Sequence, residues 1–199
     1  MLNLFINTYI KFFFLLTPFF LLSTFLSMTR GMGPSAIRKI ALKVTLAIIV
    51  ICVVLLFIGN QIFAVFGITL NSFRIGTGVL LFLSAIALVR GPGKEEPAAG
   101  SEDIAVVPLA IPVAVGPATT GALLVMGGEL TALSQKLTGL SAIAAAVVSV
   151  GIFLYISGYI ERVVGRQGLT ILSKVTGLVL SALAAQMVMT GVMGFMDGR

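Results

Sequence analysis

Between Pro108 and Gly121 the sequence Pro-Leu-Ala-Ile-Pro-Val-Ala-Val-Gly-Pro-Ala-Thr-Thr-Gly puts three of the chain's seven prolines into ten residues, in a segment apolar enough for a bilayer. Each proline removes a backbone donor and clashes with the preceding turn, so the segment is predicted to be a broken membrane helix. Gly116 then reads as an N-cap and Pro117 as the first helical residue, where a missing N–H costs nothing. The N–H groups of Ala118, Thr119 and Thr120 are expected to be free to bind an anion such as a carboxylate. Thr119 and Thr120 would add hydroxyl contacts. Thr17-Pro18 offers a matching Thr N-cap and Pro start in the first apolar run, and closes the same site from the other half of the chain. Gln186 is a midspan amide that lipid would penalise; it should face protein, bridging helices or touching substrate. The plain alternative is a pair of packing kinks whose Thr hydroxyls satisfy nearby carbonyls.

The elements that must position these residues follow from hydropathy. Apolar runs of spanning length fall near 8–28, 43–66, 71–89, 104–126, 137–160 and 169–195. The fold class expected is therefore an all-α polytopic membrane protein with six transmembrane helices, the first and fourth broken. The Gly/Pro-rich polar stretch from Arg90 to Asp103 divides the chain near its middle. Thr17-Pro18 and Gly116-Pro117 occupy corresponding places, as do the segments beginning at Arg74 and Lys174. This predicts a first three-helix repeat over 1–91, a cytoplasmic linker over 92–103 and a second repeat over 104–199, together one membrane domain. An odd number of spans per repeat inverts the second against the first and puts a site near mid-depth. Arg30, Arg38, Lys39 and Lys43, then Arg90 and Lys94, then Arg162 and Arg166 fall in alternate loops, so both termini are expected outside. Arg74 and Lys174 lie near helix starts and read as snorkelling cations on opposite membrane faces, with no acidic partner evident in the spans.

Composition removes several classes. With 58% hydrophobic and 10% charged residues the chain is far from a soluble domain, whose charged fraction is about 25%. The net charge of +6 comes from thirteen scattered Lys and Arg without stacking aromatics beside a basic run, which excludes a nucleic-acid interface and leaves topology as its role. There is no His and a single Cys, Cys52, so neither a metal site, a cofactor site nor an internal disulfide is expected. All seven acids, Glu129 among them, fall outside the apolar cores, so no intramembrane carboxylate is foreseen for a proton relay. No acid–base pair supports an enzyme. Lys11 interrupts the first apolar run and no basic residues precede it, so that run is read as a retained helix and not a cleaved leader.

Three stretches, Phe66-Gly-Ile-Thr-Leu-Asn-Ser-Phe-Arg74-Ile-Gly-Thr-Gly, Val107-Pro-Leu-Ala-Ile-Pro-Val-Ala-Val-Gly-Pro117 and Gly168-Leu-Thr-Ile-Leu-Ser-Lys-Val-Thr-Gly177 with Gln186 downstream, resemble the MarC-related family of six-span inner-membrane proteins. The resemblance implies transport of small neutral amino acids such as glycine and alanine, the activity of its SnatA-type members, with H⁺ or Na⁺ as the candidate coupling ion. This chain departs from the family at both breaks. It has Thr17-Pro18-Phe19-Phe20 where Asn-Pro and a nearby Gly are usual, and Gly116-Pro117-Ala118 where Gly-Pro-Gly is usual. The sequence therefore leads to a secondary transporter of the cytoplasmic membrane working by alternating access. Its rivals are a metabolite or drug exporter of the same fold and a non-transporting structural membrane subunit.

Overall fold

In the computed structural model, residues 1–91, 109–110 and 113–197 are described. The expected linker at 92–103, together with Pro108, Pro112 and Arg199, lies outside them. The described residues are helical, with no strand, and form α1 (Leu2–Leu15), α2 (Pro18–Met28), α3 (Pro34–Phe66), α4 (Leu70–Arg90), α5 (Pro117–Glu129), α6 (Leu133–Tyr155) and α7 (Ser157–Asp197). Four segments are long and apolar enough to cross a bilayer: Pro34–Ile58, Leu70–Arg90, Leu133–Tyr155 and Ser157–Asp197. The bent pair α1–α2 makes a fifth. Apolar side chains such as Leu42, Leu46, Val50, Val54, Leu83 and Leu178 point outward, as hydrocarbon solvent allows and water does not.

Local chemistry sets the helix ends. Prolines open α2, α3 and α5 at the first position. Thr69 caps α4, its hydroxyl oxygen accepting the Ser72 N–H at 3.1 Å. One expectation is corrected between α6 and α7. The segment holding Arg162 and Arg166 is not a loop between spans; it is helical and continuous with the last span apart from a kink at Gly165, whose φ of 68° only glycine adopts freely. The chain can remain helical there because no proline interrupts it.

Two sets of contacts organise the bundle. α5 is buried on nearly every side from Ala118 to Gly127, against α3 and α4, and forms the centre. α4 and α7 make the most extensive pairing, through small residues that let their backbones approach. A Cβ on Gly78 would run into Val188 and the Ala184 carbonyl, and one on Gly177 into Val89 and the Ala85 carbonyl. These contacts are reciprocal: Gly78 and Gly177, Ala85 and Ala184, and Val89 and Val188 are each separated by 99 positions, as Pro18 and Pro117 are.

At this offset Arg74 corresponds to Ser173, not Lys174. One residue turns a helix by about 100°, and Lys174 is accordingly exposed on the outer surface while Ser173 is buried. The pairing of Arg74 with Lys174 is thus one residue out of register.

Candidate functional site

The first break forms because the residue before a proline is poorly accommodated in a right-handed helix. Thr17 takes the left-handed region instead, at φ 46° and ψ 58°, the only described non-glycine residue with positive φ. A β-branched residue held there is strained. The expected Thr cap is not made, because the Thr17 side chain forms no capping hydrogen bond. The helix axis turns by 40° between α1 and α2. At the second break the described residues just upstream of Gly116 run as a wide turn, the Val115 N–H reaching the Ala110 carbonyl at 2.9 Å, and Gly116 is extended at φ −81° and ψ −179°.

The two breaks touch. The Thr119 hydroxyl donates to the Leu15 carbonyl at 3.1 Å, and Thr119 is buried. This hydroxyl satisfies an acceptor left open where α1 ends, so it joins the halves and is not free for a ligand. The Thr120 N–H is also engaged, donating to the Gly116 carbonyl at 2.9 Å. Of the three expected anion donors, the N–H groups of Ala118 and Thr119 remain without a backbone acceptor among the described residues. Ala118 is buried, Thr120 and Gly116 are half-buried and Pro117 is exposed; Pro18 is buried and Thr17 half-buried. Phe19 does not roof the site, because its ring packs on Phe153 of α6 at 6.2 Å.

A cavity of about 500 Å³ opens on one side of this junction, within the size range of small-molecule sites. Asn7, Ile10, Lys11 and Phe14 of α1, Arg74 of α4, Val125 and Glu129 of α5, and α7 from Val179 to Thr190 line it. Phe14 lies one turn from the first break. Of the residues proposed from sequence, Gln186 alone lines this cavity. Its side chain is exposed to the opening and does not bridge helices.

The charges of this cavity are what sequence reasoning missed. Arg74 and Glu129, 55 residues apart, form an ion pair in which Nε and Nη2 of Arg74 both donate to Oε1 of Glu129, at 3.2 and 2.7 Å. Nη1 of Arg74 donates to the Asn71 side-chain oxygen at 2.9 Å. The apolar runs offered Arg74 no acidic partner; the structure supplies Glu129, which lies beyond the run at 104–126 yet is the last residue of α5 and folds against α4. Lys11, a turn before Phe14, makes no hydrogen bond or ion pair within 4 Å among the described residues. Two cations against one carboxylate leave the cavity one positive charge in excess. It can therefore hold an anionic group, and Gln186 and Thr190 add polar surface.

The sequence matches the MarC family integral membrane proteins across residues 2–196. This chain belongs to the MarC family. Its similarity to individual members extends over nearly the whole chain. It is 32% identical to a UPF0056 membrane protein of Aquifex aeolicus, covering 94% of this chain and 92% of that one. It is 30% identical to the UPF0056 membrane protein YhcE of Escherichia coli, over 96% and 94% of the two chains. A Methanocaldococcus jannaschii member is also 30% identical, over 97% and 98%. No solved structure matches the chain. MarC membership makes the protein an integral membrane protein, and the names of these relatives carry no substrate.

Proposed function

We propose that this MarC-family protein is a secondary transporter of small neutral amino acids, such as glycine and alanine, across the cytoplasmic membrane. The observation that carries the reading is the cavity with excess positive charge, lined by Phe14, the neighbour of Leu15, whose carbonyl accepts the Thr119 hydroxyl and so bonds the two breaks together. The substrate carboxylate would finish at the N–H groups of Ala118 and Thr119, in the positive field of the α5 N-terminus. Thr17 and Pro18 would bound the site from the other half.

The reciprocal α4–α7 contacts at one constant offset support two inverted three-helix repeats and six spans, α5 belonging to the fourth. Along α7 the cavity lining from Val179 to Thr190 rises about 16 Å, roughly half of a ~30 Å hydrocarbon layer. A carrier open to mid-depth on one side is one state of an alternating-access cycle, reached by rocking one repeat against the other. With both termini outside, the cavity faces outward. The reading contains no catalytic step.

Purified protein in liposomes should catalyse labelled glycine and alanine flux, and gradients of H⁺ or Na⁺ imposed in turn identify any coupling ion. Flux no greater than that of empty liposomes would overturn the proposal. In cells, a cysteine at residue 2 should react only with reagent on the outer face, and labelling from the cytoplasm would reverse the orientation.

A further inference from the structure

The three charged residues of the cavity have a complementarity that the helix breaks do not supply. Oε1 of Glu129 takes both bonds from Arg74, which leaves Oε2 without a partner among the described residues. The Glu129 side chain remains 37% accessible, so this oxygen can be reached from the opening. The Lys11 ammonium lines the same cavity, with no counter-ion within 4 Å among the described residues. One uncommitted cation and one uncommitted carboxylate oxygen facing a single cavity match the two charges of an α-amino acid. A simple anion would satisfy the first and leave the second.

We propose that Lys11, Arg74 and Glu129 form a recognition site for the zwitterionic head of the substrate, separate from and preceding the site at the breaks. Lys11, with Arg74 beside it, takes the carboxylate, and Oε2 of Glu129 takes the ammonium. The ligand class rests on the transporter reading above. Arg74 acts as a positioning residue: its two bonds hold one carboxylate oxygen of Glu129 and turn the other to the opening. The pair also ties α4 to α5, so a ligand that draws on both charges loosens a link between the two halves of the chain.

Thr190 lines the cavity, and its hydroxyl bonds only to the Gln186 carbonyl of its own helix. In a Cys52→Ala background, Thr190→Cys therefore gives a label site whose reaction with a polar maleimide reports occupancy. Glycine should slow this reaction, and acetate or methylammonium should need concentrations about tenfold higher, since each meets one of two charge-assisted contacts. Lys11→Met should raise the half-protecting glycine concentration by about tenfold, and Lys11→Arg should restore protection to within about threefold. Glu129→Gln should erase the advantage of glycine over acetate, which a purely structural ion pair would leave intact. Asn7→Cys, on the opposite wall, supplies a second label site if Thr190→Cys perturbs the helix.

Equal protection by glycine and acetate in the wild-type background, or protection unchanged by Lys11→Met, would overturn the site. The transporter reading fails separately. If liposomes show no amino-acid flux while protection follows the charges as stated, transport falls and the recognition site stands. If flux occurs but protection ignores Lys11 and Glu129, the recognition site falls and transport stands.

Discussion

The two ends of the bundle differ in what they enclose. At one end Asn7, Lys11, Arg74, Glu129, Gln186 and Thr190 surround an open cavity. Elsewhere Leu21, Leu22 and Phe25 of α2, and Leu109 and Ala110 upstream of the second break, are fully buried in the apolar core. Moving 99 positions along the chain relates the ends. Lys11 then falls on Ala110, Arg74 on Ser173 and Glu129 on Arg30. The residues of the α4–α7 contact, Gly78 and Gly177 with Ala85 and Ala184, keep their type under this shift and the charged residues of the cavity do not. The α4–α7 approach is thus common to both halves, whereas among the described residues Lys11, Arg74 and Glu129 have no like-charged counterparts at this offset. Under the alternating-access proposal this contrast matters, because an apolar seal can part without separating ion pairs.

Exchanging the chemistry of the ends tests this contrast most severely. Ala110→Lys places an uncompensated cation at a fully buried position and should cost about 3–5 kcal/mol, seen as loss of monodisperse protein or a much lower unfolding midpoint. Lys11→Met at the open end should change stability by no more than about 1 kcal/mol. An Ala110→Lys protein as stable as the wild type would mean that the packed end is already permeable to water.

The shared packing comes next in size. Gly78→Val and Gly177→Val should each destabilise by about 1–3 kcal/mol, since each added side chain meets the facing helix. Gly76→Ala, where a Cβ would enter open space, should be neutral or slightly stabilising in the same thermal assay. If one of the two valine variants were neutral, the reciprocal contacts would not be equivalent and the repeat argument would weaken.

Thr119→Val should cost about 1 kcal/mol through loss of the bond to the Leu15 carbonyl, measured as stability. A fall in ligand affinity with unchanged stability would return this hydroxyl to the binding site. The smallest effect belongs to the Arg74–Glu129 pair. Because Glu129 is more than one-third accessible, a double-mutant cycle with Arg74→Gln and Glu129→Gln should give a coupling of no more than about 1 kcal/mol, shrinking as salt is raised.

Much of this architecture is written in the sequence. Apolar runs of spanning length declare the helices, prolines after Thr17 and Gly116 declare both breaks, and the near-constant offset between the halves is visible in the same residues. These signals are local, because a missing N–H and a length of hydrocarbon act on the segment that carries them. The candidate site was less legible. Gln186, expected to face protein and either bridge helices or touch substrate, lines the cavity, yet Thr119 is bonded to the end of α1, and the Thr17 hydroxyl caps nothing. Nothing near Arg74 in sequence points to Glu129, and nothing near Lys11 shows that it faces that pair. Such a meeting depends on which faces of α1, α4, α5 and α7 turn toward one another. A one-residue error of register rotates a side chain by about 100°, enough to exchange the buried Ser173 for the exposed Lys174 as the counterpart of Arg74. The sequence alone determines that this is a bundle of apolar helices with two breaks. The tertiary structure decides where its charges meet, because only packing selects which residue of each helical turn faces the cavity.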